Sequence, residues 1–194
     1  VRQPPPCSSS SRATWTRLQA ESREALHLAS FAVRIGRDAR FDHLGVNAGA
    51  GLARWQGFAT VAGSGAEAGF YGAGMLSGRE HVDVRLEMVH AVPHGRSREL
   101  YKTVIDGEAN GAFQGRIVVK PDAQKTDAKM MTQALLLSDR GEFASKPELE
   151  IFADDVQCGH GATSGRIDET MLFYLLSRGV PRAEAERLLI EAFL

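Results

Sequence analysis

At 194 residues and 21.0 kDa the chain suits one domain with a substantial core, and 43% hydrophobic with 24% charged residues is ordinary for a globular protein. Lys and Arg number 23 against 24 Asp and Glu, a formal charge of −1 that argues against nucleic acid as a partner, since phosphate binding needs clustered positive charge. No apolar run approaches the ~20 residues of a membrane span, so a membrane is not an expected partner either.

Two cysteines, Cys7 and Cys158, are too few for a disulfide framework. Both read as free thiols in a reducing compartment, and the expected location is cytoplasmic. The sequence opens on Val1 with no secretory pattern, which gives the expectation of a fragment or processed chain of a soluble protein.

Residues 1–12 are a Pro/Ser-rich lead, expected to be extended and flexible, with Cys7 an incidental thiol. Arg17–Ala29 scores as helix on propensity alone. Through residues 13–165 the chain otherwise reads as short strands: Phe31–Ile35, Phe58–Ala62, Val82–Val89, Leu100–Ile105, Phe113–Val119, Ala134–Leu137 and Leu149–Phe152. Val82, Val84, Leu86 and Met88 alternate with Asp83, Arg85 and Glu87, the period of a half-buried strand. Glycines, concentrated between Gly36 and Gly115, punctuate the runs, and Gly45–Gly51 reads as a turn. A sandwich, a barrel and a β-solenoid all fit this pattern.

Residues 166–194 change character. Asp168–Arg178 and Arg182–Leu194 are helical, with Asp168 and Glu169 at the first N-terminus, Gly179 as its left-handed terminator and Pro181 in the first turn of the second. Met171, Leu172, Leu175 and Leu176 form one apolar stripe; Ala185, Leu188, Leu189, Ala192 and Phe193 form another. The pattern is still apolar at Leu194, so further chain or a partner is expected to pack there.

Reactive residue types are densest in Asp154-Asp155-Val156-Gln157-Cys158-Gly159-His160-Gly161. In an extended segment Cys158 and His160 project to one side, and both are ligands for zinc, copper or iron. Two ligands are half of a four-coordinate site, so a buried Cys beside a loop His is the plainer account of spacing alone. Asp154 and Asp155 would disfavour the thiolate, whereas a neutral imidazole coordinates readily, making His160 the better metal ligand. His90 and His94 flank Pro93 and read as turn residues. Neither a P-loop, a dinucleotide fingerprint nor a nucleophile elbow is present.

Tyr101–Asp139 (YKTVIDGEANGAFQGRIVVKPDAQKTDAKMMTQALLLSD) and Lys146–Pro181 (KPELEIFADDVQCGHGATSGRIDETMLFYLLSRGVP) resemble the SufB/SufD family of iron–sulfur cluster assembly proteins. Leu28–Phe41 and Val89–Leu100 match more loosely. CGHGAT, Leu172–Leu175 and Ser177-Arg178-Gly179 are closer to the SufD branch. The resemblance implies a right-handed parallel β-helix followed by a short C-terminal α-helical segment, with Arg17–Ala29 part of a coil and not a helix. It further implies a non-enzymatic scaffold that pairs with a SufB-type paralogue and binds a SufC-type ATPase through its C-terminal helices, with Phe173, Tyr174 and Arg178 the matching positions. By motif position His160 is the interface histidine implicated in nascent cluster formation and Cys158 its neighbour, the cluster being transient and absent from the isolated chain. The family's N-terminal helical region is expected to be absent, with the Pro/Ser-rich lead in its place. Alone, such a chain is expected to form a homodimer through its open strand edges.

Two rival readings use the same residues. A carbohydrate-active β-helix enzyme of pectate lyase type would draw on Asp83, Glu87, Asp106 and Glu108 with calcium. A zinc-stabilised domain would use Cys158, His160, His90 and His94.

Overall fold

Residues 10–194 are described by a computed structural model, so Cys7 and the first nine residues lie outside the description. Eleven strands run in chain order: β1 (Arg12–Gln19), β2 (Leu26–Ile35), β3 (Arg40–Asn47), β4 (Leu52–Val61), β5 (Glu67–Leu76), β6 (His81–His90), β7 (Arg96–Ile105), β8 (Asn110–Val119), β9 (Asp127–Leu136), β10 (Glu142–Ile151) and β11 (Gln157–Gly165). Odd strands form one parallel sheet, ordered β1-β3-β5-β7-β9-β11, and even strands the other, β10-β8-β6-β4-β2. Each coil contributes one strand to each sheet, so the chain winds a parallel β-helix of about five turns. Arg40 lies opposite Glu67, 27 residues on, and Arg98 reaches Asp127, 29 residues on, which sets the coil length.

Alternation produces this winding. Along β6, Val82, Val84, Leu86, Met88 and His90 point inward and are buried, while Asp83 and Arg85 face out. The same phase in every coil stacks like on like: Val33, Ala59, Met88 and Ile117 form one column of the bore, and Phe41 packs on Phe31 and Phe70 at centroid distances of 5.6 and 5.8 Å. Burying each large apolar side chain contributes roughly 1.5–3 kcal/mol. Outside, Arg40, Glu67, Arg96 and Asp127 alternate in sign up the odd sheet, but exposed ion pairs contribute only about 0–1 kcal/mol each. The bore, not the surface ladder, holds the coil together.

Helix propensity loses in Arg17–Ala29. The segment is the end of β1, a turn closed by Ala25 N–H donating to the Ser22 carbonyl at 2.9 Å, and the start of β2. Strand pairing satisfies a full row of backbone groups and buries one face, which outweighs propensity differences of up to ~0.7 kcal/mol per residue.

Two helices follow, α1 (Glu169–Ser177) and α2 (Arg182–Phe193). Asp168 caps α1, its carboxylate accepting from Thr170 and Met171 N–H at 2.8 and 3.1 Å. Gly179, at φ +83°, ends it in a Schellman arrangement: Gly179 N–H donates to Leu176 O and Val180 N–H to Leu175 O. Pro181 sits at the N-cap of α2, one residue before the first turn assigned from sequence. Leu172 and Ala185 are buried, and Val104 and Leu135, outward on β7 and β9, are buried as well. Lys102 Nζ reaches the Phe193 carbonyl at 2.5 Å, tying the end of α2 to the odd sheet.

Candidate functional site

β11 ends the odd sheet: among the described residues it is bonded to β9 on one edge only. Its period-two alternation turns Cys158 and His160 to the bore side, above Ala128 and Met130 of β9. No coil lies above them among the described residues, so the pair stands at the mouth of the bore. Cys158 is half-buried against the core and His160 is exposed. The glycine that follows His160 suits this edge: a Cβ at Gly161 would press on the Met131 side chain at 2.7 Å.

Burial pushes the Cys158 thiol above its ordinary value, and Asp127 adds to the shift, while the Ala128 amide and Lys129 oppose it. The direction agrees with the sequence reading but the carboxylate differs. Asp155 is paired with Lys125 on the turn before β11, and Asp127, across the ladder, is the residue that acts on the sulfur. At neutral pH the sulfur is a thiol, which must lose its proton before it can hold a metal.

The four-residue zinc set does not assemble. His90 is the last residue of β6, fully buried, with Nε2 3.0 Å from Ser97 Oγ; it belongs to a strand and not to a turn. His94 does sit in the turn, at φ +61°, and is exposed. Among the described residues no three His, Cys, Asp or Glu side chains come together as a metal-binding group.

The acidic residues of the carbohydrate reading are likewise dispersed. Asp83 and Glu87 face outward on β6, paired with Arg54 and Arg85 and with Arg116; Glu108 lies in a turn with Arg79 and Arg140. Asp106 accepts from the Gly107 N–H. Among the described residues no groove gathers them, and this reading is not favoured.

On α1, Phe173 (72% exposed) and Tyr174 (53%) face solvent, and Arg178 lies over the Tyr174 ring at 5.2 Å. Met171 is exposed on the same helix, so the apolar stripe read from sequence is only partly buried: Leu172 is its one fully buried member.

The SUF system FeS cluster assembly SufBD core domain model matches residues 7–193. The chain belongs to the SufB/SufD family. It is 35% identical over 180 residues to an iron–sulfur cluster assembly SufBD family protein of Synechocystis, covering 93% of this chain and 40% of that one. It is 43% identical over 114 residues to the iron–sulfur cluster assembly protein SufD of Escherichia coli, covering 59% of this chain and 27% of the relative. SufD of Bacillus subtilis is 34% identical over 117 residues, 60% of this chain and 27% of its own length. The chain thus spans less than half the length of these relatives.

Sequence reading missed a polar cluster inside the bore: Arg17, His43, Glu99 and Tyr101, all on the inward phase of odd strands. A charged residue on the buried phase of a strand, as in Ser97-Arg98-Glu99-Leu100-Tyr101, is the only trace they leave in the sequence.

Proposed function

We propose that this chain is a non-catalytic scaffold of the SUF iron–sulfur assembly system, pairing with a SufB-type paralogue and a SufC-type ATPase. The Cys158–His160 pair on the free edge strand carries this reading: two side chains of types that ligate iron share the bore side of the last strand of the odd sheet, where a second chain can bring the others. The nascent cluster is cargo, formed between chains and passed on, and the isolated chain is not expected to keep one. His160 is the principal ligand from this side because Cys158 must first lose its proton from a thiol made less acidic by burial. The exposed face of α1, with Phe173, Tyr174 and Arg178, is the surface for the ATPase. Two aromatic rings and a stacked guanidinium are the residue types that dominate interface energies.

Size-exclusion chromatography of the chain with its SufB-type and SufC-type partners tests the pairing, with co-elution expected. A chain extended to the length of its relatives that joins neither partner would leave the scaffold reading without support. Within the complex, His160→Ala is expected to abolish cluster maturation, followed by iron–sulfur absorption, while the far-ultraviolet circular dichroism stays that of the parent. Cys158→Ser is expected to cost less; an equal or greater loss would make the thiol the leading ligand.

A further inference from the structure

The outer face of the odd sheet carries an apolar stripe that the scaffold reading leaves unused. Leu44, Tyr71, Leu100 and Met131 stand in register on β3, β5, β7 and β9, all on the outward phase. Three strand spacings make the stripe roughly 14 Å long. In the next outward column Val46 and Ala73 widen it. Leu44 and Met131 are 42% and 38% exposed, and the other four are half-buried.

Two glycines flatten this surface. Tyr71 lies over Gly69, where a Cβ would stand 2.7 Å from its Cε2 and 3.1 Å from its hydroxyl. Met131 lies over Gly161 in the same way. The stripe is therefore a smooth floor and not a ridge. Its far border is the end of α2: Lys102, in the column of Val46 and Ala73, holds the Phe193 carbonyl and sits 5.3 Å from the Phe193 ring centroid. This face of the sheet thus already carries one helix end.

The charges beside the floor are unbalanced. On one flank Asp42 is paired with Arg40, and Arg98 with Asp127. Lys129 follows Arg98 in that column, and among the described residues it has no ion pair. Lys102, on the other flank, binds a carbonyl and no carboxylate. The unmatched charge is positive on both sides.

Size and charge together select the occupant. A stripe one or two side chains wide is far below the ~800 Å² per partner of a stable dimer, so a second copy does not fit it. A single helix does, since about ten residues at 1.5 Å each cover roughly 14 Å and an i, i+3, i+7 pattern presents a stripe of this width.

We propose that the Leu44–Tyr71–Leu100–Met131 stripe is a docking site for one amphipathic helix of a partner protein, with Asp or Glu flanking its apolar face. The site is separate from the exposed face of α1 and from the Cys158–His160 pair, so it stands or falls apart from the scaffold reading.

The probe is a fluorescein-labelled peptide of about 14 residues, Leu at i, i+3 and i+7 and Glu on both flanks, titrated with the whole chain by fluorescence anisotropy. Saturable binding that weakens with ionic strength is expected. The same peptide with Lys for each Glu is expected to bind at least about tenfold more weakly, because like charges then face each other. Leu44→Glu, at an exposed position, is expected to weaken the Glu peptide about tenfold with circular dichroism unchanged, and Lys129→Glu to narrow the preference for Glu over Lys. Phe173→Ala is expected to leave binding as it was. Absence of binding, equal binding of the two peptides, or indifference to Leu44→Glu would overturn the proposal. A loss with Phe173→Ala would move the peptide to α1 and overturn it too. So would light scattering in which Leu44→Glu turns a self-associated chain into monomer, which would give the stripe to a second copy.

Discussion

Glu99 illustrates how a single inward side chain sets a pH dependence. Its carboxyl titrates near 4.5 in an unfolded chain and at about 8 in the bore, with burial as the cause. Between those values the unfolded state sheds a proton that the folded state keeps. Its contribution to stability is therefore full below about pH 4.5, falls as pH rises, and is gone by about pH 8. Glu99→Gln is expected to flatten that slope and to raise the denaturation midpoint at pH 7, measured by urea melts across pH 5–9. His43 and His90 act in the opposite direction. Burial pushes both down to about 4, helped by Arg17 for His43 and opposed by Asp127 for His90, so stability is lost as pH falls from 6.5 to about 4. Gly72 is a steric case: any Cβ there meets the Tyr101 ring, which is buried and cannot swing away. Gly72→Ala is expected to cost roughly 1–3 kcal/mol, the usual range for overpacking a filled core, read from the urea midpoint.

At the scale of elements, the coils and the helices are held by different means. Each coil is fastened by backbone pairing along eight to ten residues on its neighbours, whereas α1 and α2 rest on Leu172, Ala185 and the Schellman turn at Gly179. Gly179→Ala puts a Cβ on a left-handed residue and is expected to cost about 1 kcal/mol. The helices then open while the coils remain, and hydrogen exchange will show faster exchange over 169–193 with β7 and β9 unchanged. Affinity for the ATPase is expected to fall with it. Part of this was legible beforehand. Asp168, Gly179 and Pro181 bracket the helices because caps are local chemistry, readable without a partner. The strands of the glycine-rich stretch were harder: β3 and β5 contain Gly45, Gly69, Gly72 and Gly74, which conceal the alternation because glycine stands where a neighbouring coil's side chain fills the space.

For the molecule as a whole, the decisive feature is that a stack of coils has two ends. β10 and β11 leave one edge of each sheet unpaired among the described residues, with Cys158 and His160 beside it. An unpaired parallel edge is a template for another strand. Alone at micromolar concentration the chain is expected to self-associate through this end, and light scattering that finds only monomer would count against it. Among the described residues no helix is long and apolar enough to cross a membrane.

Composition, the alternation in β6 and β8, the helix caps and the spacing of Cys158 and His160 are local properties, and the sequence alone determined them. So is the long run of family-like residues from Tyr101 to Pro181, confirmed by the family match. Which strand stacks on which was not local. The register that aligns Arg17 with Tyr101 across two glycines and replaces Asp155 by Asp127 beside the Cys158 sulfur is set by packing between residues about thirty positions apart on successive coils. Those pairings exist only once the coil has closed, because period-two alternation fixes which face a side chain takes but not which neighbour it meets there.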